Sequence, residues 1–110
     1  MQIYDSCETS QASTNTSTFV TASTLDAYQA MSVSYTVKNA GANSVNFEVI
    51  AGNLADLSDA VQVQAPATVA NGAVGSYAVS IAPYVFYGIK IVDTVGGNHG
   101  TVTVRGRAKG

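Results

Sequence analysis

From Met31 to Lys38 the chain alternates without a break. Met31, Val33, Tyr35 and Val37 are apolar or aromatic, and Ser32, Ser34, Thr36 and Lys38 between them are polar. A period of two puts every second side chain on one face of an extended chain, which is the pattern of a strand with one face buried. The pattern returns in "SVNFEVI" through Val45, Phe47 and Val49, in "VQVQ" at 61–64, and in "SYAVSI" through Tyr77, Val79 and Ile81. It returns again in "YVFYGIKIVDTV" through Val85, Tyr87, Ile89 and Ile91, and in "TVTVRGR" through Val102 and Val104. These residues are the expected core. Only "AGNLADLSDA", 51–60, has any helical character, and its length suits a loop with a single turn. The aliphatic residues agree: fifteen Val and five Ile stand against three Leu, and β-branched side chains fit a pleated surface better than a helix. A chain so patterned buries its apolar faces by stacking one sheet on another.

Turn signals divide the strands. "NAGAN", 39–43, has a permissive Gly41 between asparagines and reads as the loop of a hairpin joining the strands on either side. "ANGAVGS" and "GGNHG" are further Gly-rich turns, and Pro83 is placed to open a strand, where its missing N–H does least harm. The expectation is an all-β protein: an antiparallel immunoglobulin-like or fibronectin-like β-sandwich of about seven or eight short strands, spanning residues 19–110. Residues 1–18, with the polar run "DSCETSQASTNTST", stand apart as an extended N-terminal arm or an irregular first strand. Such an arm would become ordered against a neighbouring subunit.

Charge is sparse and unevenly placed. Only 11% of residues are charged and the net charge is −2. Three of the five bases, Arg105, Arg107 and Lys109, fall in the closing "VRGRAKG", whereas residues 1–104 hold Lys38 and Lys90 against seven carboxylates. Two readings follow. The bases form a solvated last strand that discourages edge-to-edge aggregation, or they steer contact with an acidic partner surface. Nucleic acid is not an expected partner, because three cations ahead of an acidic body neutralise few phosphates. Cys7 is the single cysteine, so no internal disulfide forms, and a reducing compartment is expected. No basic segment followed by an apolar run suggests a signal peptide, and no apolar run approaches the roughly 20 residues of a membrane-spanning helix. No membrane partner is expected, and the Asn15-Thr16-Ser17 sequon reads as accidental.

No reaction chemistry stands out. His99, the single histidine, lies in "GGNHG" and reads as an exposed turn residue rather than the base of a triad, which must be braced by a carboxylate and face a nucleophile. One Cys and one His far apart do not make a zinc site. Asn53, Asp56 and Asp59 lack the alternation of a calcium loop and read as turn caps. No catalytic residue, metal ligand or cofactor is assigned, and the chain is not expected to be an enzyme. Tyr84 and Phe86 are the remaining candidates, as an aromatic platform for a partner protein or a sugar.

At "VSYTVKNAGANSVNFEV" and "PYVFYGIKIVDTVGGNHGTVTV" the chain resembles immunoglobulin-like or fibronectin-like sandwiches and also small structural proteins of tailed bacteriophages, which pair a "V-K-N-x-G" hairpin with a "P-Y-x-x-Y" strand. The resemblance covers roughly residues 31–106. It implies a non-enzymatic virion subunit, made in the host cytoplasm, whose partners are the major capsid protein or other virion proteins. It would be homo-oligomeric or bound to a lattice. A head decoration (cement) protein is the specific expectation. A tail, neck or fibre component and a carbohydrate-binding module are the alternatives. The resemblance carries over no functional residue; the candidate partner contacts, read from charge and aromatic placement, are Arg105, Arg107, Lys109, Tyr84 and Phe86.

Overall fold

The computed structural model describes residues 2–110 and contains nine strands: β1 (Ile3–Ala12), β2 (Thr18–Phe19), β3 (Leu25–Asp26), β4 (Ser32–Asn39), β5 (Val45–Gly52), β6 (Val61–Val69), β7 (Val74–Val79), β8 (Phe86–Asp93) and β9 (Thr101–Lys109). They form two antiparallel sheets. One has the order β1-β9-β4-β7, and the other β2-β8-β5-β6, with β3 also paired to β8. The two-layer antiparallel sandwich that alternation implied is therefore present. The apolar faces of both sheets meet in one core, where Tyr35, Phe47, Tyr87, Leu25, Ile89 and Ile91 are the largest fully buried side chains.

The route between the layers is specific. First pairs with last (β1 with β9), β4 with β7, β5 with β6, and β2 and β3 together with β8. This is the winding of a jelly roll, with its second strand interrupted between Phe19 and Leu25 into β2 and β3. An immunoglobulin-like domain takes another route through the same two layers, grouping its strands as ABED and CFG. The hairpin expected at 39–43 is corrected accordingly. β4 and β5 do not pair. β4 lies between β9 and β7, while β5 lies between β8 and β6, so "NAGAN" carries the chain from one sheet to the other. Alternation assigns each strand an inward face, but a hairpin and an arch between sheets satisfy that pattern equally well. What decides is Asn39, fully buried at the end of β4. Its Nδ2 donates to the carbonyls of Asn43 (2.7 Å) and Val69 (2.9 Å), and its Oδ1 accepts from the Gly41 N–H at 2.9 Å. Gly41 lies so close to the Gly100–Thr101 backbone that a Cβ would collide with it.

Residues 3–12 form β1, paired along the length of β9 with a bulge between Ile3 and Asp5. Segment 53–60 is a loop of turns, without helix. Pro66 lies within β6, which is an edge strand, where a missing N–H is tolerated.

The winding divides the loops between two ends of the sandwich. Segments 13–17, 40–44, 70–73 and 94–100 lie at one end, called here the stapled end. Segments 27–31, 53–60 and 80–85, with Gln2 and Gly110, lie at the other, called the open end.

Candidate functional site

The basic "VRGRAKG" segment is not an edge. β9 lies between β1 and β4, hydrogen-bonded on both sides, so the reading of its cations as protection for an exposed strand edge does not apply. Alternation along β9 sends Val102, Val104, Gly106 and Ala108 into the core and Thr103, Arg105, Arg107 and Lys109 outward. Gly106 is required there. The Tyr35 ring, Cys7 Sγ and Leu25 occupy the space a Cβ would need, with the ring edge 2.7 Å from where it would stand. The residue between the two arginines is thus fixed by the core, and the arginines by the outer face.

That face gathers more charge than the sequence segment suggested. Lys38 on β4 is opposite Thr103, and Thr36 is opposite Arg105, so Lys38 joins the outward row. Four of the five basic residues therefore lie on the outer face of the β1-β9-β4-β7 sheet. The one carboxylate among them is Glu8, whose Oε1 lies 3.1 Å from Arg105 Nε. Both partners are about half exposed, so the pair is worth at most about 1 kcal/mol. The other side chains on the face are small, such as Ser34, Ser76 and Ala78, which leaves it flat. The fifth base, Lys90, lies on the opposite sheet, 3.9 Å from Glu48.

Tyr84 and Phe86 do not join this surface. Both are half-buried at the start of β8 in the other sheet. Tyr84 packs edge-on against the core residue Tyr87 with ring centroids 6.4 Å apart. Beside Phe86, the outer face over Gly88 is covered by the Phe19 ring and Leu57. The pair does not form an open aromatic platform.

The exposed apolar side chains lie elsewhere. Met31 and Ile81, expected in the core, are 62% and 76% exposed, and Tyr28 is 77% exposed. The parity of the alternation was right, but Met31 precedes β4 and Ile81 follows β7, so both fall just beyond the sandwich. Backbone pairing holds them in place: the Met31 N–H donates to the Lys109 carbonyl (2.8 Å), and the Ala82 N–H to the Met31 carbonyl (2.7 Å). Together with Tyr4, Gln29 and Gly110 they border a shallow groove of about 450 Å³. An adjacent hollow of about 230 Å³ shares Tyr4 and is bordered by Asp26 and Tyr28. Leu54, 52% exposed, belongs to the same open end, as do the exposed carboxylates Asp26, Asp56 and Asp59. Ser58 donates to Asp56 through its backbone N–H at 3.0 Å, which lowers that carboxyl from its usual value. Asp59 accepts from the backbone N–H groups of Asn53 and Leu54.

The stapled end contains the one buried carboxylate, Asp93, which sequence reasoning missed. Ser13 Oγ donates to its Oδ1, the Gly97 N–H donates to Oδ2 at 3.1 Å, and His99 Nδ1 lies 2.8 Å from the same Oδ2. Burial pushes the Asp93 pKa up, but the hydrogen bonds from Ser13, His99 and Gly97 outweigh it and hold the carboxyl below its usual value. His99 is thus braced by a carboxylate while its ring remains largely exposed. The serine bonds the carboxylate and not the imidazole, and Ser13 Oγ also accepts the Gly100 N–H at 2.9 Å. Ser, Asp and His here fasten β1 to the turn between β8 and β9. They are not in line for nucleophilic attack. Asp93 and His99 are six residues apart in one turn, but no local signal brings in Ser13, which is 80 residues from Asp93.

Cys7 faces the core, half-buried beneath Gly106. Burial first, and the charge of Asp5 second, raise its thiol pKa and keep it protonated. Among the described residues, no group of three His, Cys, Asp or Glu side chains is arranged to hold a metal ion.

No protein family and no curated protein matches the chain. Several solved structures are similar to it. PirA superposes with a TM-score of 0.59 at 13% identity, over 88% of this chain and 90% of that one. A protein of Bacillus endospore appendages, described as a family of disulfide-linked pili, superposes with a TM-score of 0.56 at 17% identity, over 99% of this chain and 91% of that one. At such identities the likeness is one of fold.

Proposed function

We propose that the chain is a non-enzymatic structural subunit, and more specifically a head decoration (cement) protein of a tailed bacteriophage, bound to the major capsid protein or another virion protein. The observation that carries this reading is the open end. Met31 and Ile81 are large and exposed on the border of one groove, and Tyr28 on the border of the hollow beside it, although the fold has a well-packed core available. Contiguous apolar surface of this kind marks a protein contact. Burying each such side chain against a partner contributes about 1.5–3 kcal/mol.

The flat basic face complements this end. Exposed cations add little affinity, but they orient an encounter with an acidic surface and raise its rate. A decoration protein acts mechanically: each copy adds a modest contact, and many copies on one lattice make the total large. The fold suits that task because its inner strands β9, β4, β8 and β5 are hydrogen-bonded on both sides within two packed sheets, which leaves a stiff body with contact surfaces at an end and on a face.

Cosedimentation with expanded phage heads tests the reading. Saturable binding at a fixed ratio to the coat protein, weakened by Tyr28→Ser, is the expected result. Heads that pellet without the protein at any concentration would remove the decoration role.

A further inference from the structure

The open end and the basic face are complementary to each other. The open end combines exposed apolar side chains (Tyr28, Met31 and Ile81) with three exposed carboxylates (Asp26, Asp56 and Asp59). The outer face of the β1-β9-β4-β7 sheet has Lys38, Arg105, Arg107 and Lys109 with Glu8 as its single carboxylate. Arg105, Arg107 and Lys109 are successive outward residues of β9, flanked on β4 by Thr36, Ser34 and Ser32, and β7 adds Val74, which is 57% exposed. The two surfaces adjoin at Lys109, whose carbonyl accepts the Met31 N–H, but one faces out from the sheet and the other lies beyond the strand ends, so one copy cannot lay its own end on its own face.

We infer that the open end of one copy docks on the outer face of the β1-β9-β4-β7 sheet of a second copy. This deepens the reading of the chain as a structural subunit and rests on it. The contact is heterologous: each copy uses one surface to give and the other to receive, so the arrangement extends to further copies unless its rotation closes a ring. The apolar side chains supply most of the affinity, and the opposed charges set the orientation. Association therefore weakens as salt shortens the Debye length from about 8 Å at physiological ionic strength to about 3 Å at 1 M.

A mixing experiment tests this. One variant reverses the face (Lys38→Glu with Arg107→Glu), and the other strips the end (Tyr28→Ser with Ile81→Ser). Sedimentation velocity of the wild-type chain should show species that grow with protein concentration and shrink with salt. Each variant alone should stay monomeric, because it lacks one half of the contact. A one-to-one mixture should form dimers and nothing longer, since the intact end of the first fits the intact face of the second. If the face variant melts early, Arg105→Gln with Arg107→Gln replaces it, with weakened association as the expected result. A wild-type chain that stays monomeric, or a mixture that does, overturns the inference. If that monomer still binds expanded heads at a fixed ratio, the partner is a foreign protein and the structural reading stands. If it binds neither copies nor heads, both fail together.

Discussion

The two ends of the sandwich solve the problem of loop polar groups in opposite ways. At the stapled end, buried side chains from distant parts of the chain take up the loop backbone. Asn39 holds the 40–44 arch and the end of β6, and Asp93 with Ser13 holds the turn between β8 and β9. Its one large exposed apolar residue is Val95. At the open end the ties are exposed: Asp26, Asp56 and Asp59 hold loops to their own neighbours, through Tyr28, Ser58 and Asn53, Asp5 accepts the Asp26 N–H at the surface, and several large apolar side chains face outward. One end is finished within the monomer. The other has apolar surface that only another molecule can cover. The difference separates stability from assembly: substitutions at the stapled end should change folding free energy, and those at the open end should change association.

The largest effect is expected at Asn39. Asn39→Leu keeps the branched shape but leaves the buried Val69 carbonyl and the part-buried Asn43 carbonyl and Gly41 N–H without their partner, which should cost at least about 2 kcal/mol in urea unfolding. A loss below about 1 kcal/mol would show that the stapled end does not depend on it.

Asp93 comes next, and its effect depends on pH. Its folded pKa is lowered, so its contribution is fully present above the unfolded carboxyl value of about 3.9 and is lost as pH falls through the lower folded value. The melting temperature should therefore drop below about pH 4. Asp93→Asn should be less stable at pH 7 and show a shallower acid drop than the wild type. An acid limb of identical slope in the variant would mean that the staple does not depend on the charge.

Arg105→Gln breaks the exposed pair with Glu8 and should cost less than about 1 kcal/mol of stability. The smallest stability change belongs to Tyr28→Ser with Ile81→Ser, within about 0.5 kcal/mol of the wild type. The same variant should lose tenfold or more in association. A stability loss above about 2 kcal/mol there would show those side chains to be part of the core, and the contrast between the ends would fall.

The alternation of Val33, Tyr35, Val37, Phe47, Ile89 and Val104 made the layers and their inward faces legible, because side-chain parity is local. Connectivity was not legible. A hairpin and an arch give β4 and β5 the same pattern, and the choice rests on Asn39 reaching Val69, 30 residues away. The basic cluster was visible as three nearby residues, but its fourth member, Lys38, is brought in only by the pairing of β4 with β9. Met31 and Ile81 misled in the opposite direction: correct parity placed them inward, and only the strand limits place them beyond the core. The Ser13–Asp93–His99 staple was not legible: Asp93 and His99 lie six residues apart, but the burial of that carboxylate depends on Ser13, 80 residues away.

Oxidative footprinting of the protein, free and assembled, tests the central contrast most directly. Modification of Tyr28 and Met31 should fall sharply on assembly while His99 reacts equally in both states. Protection of His99 with Tyr28 and Met31 unchanged would contradict the account and move the contact to the stapled end.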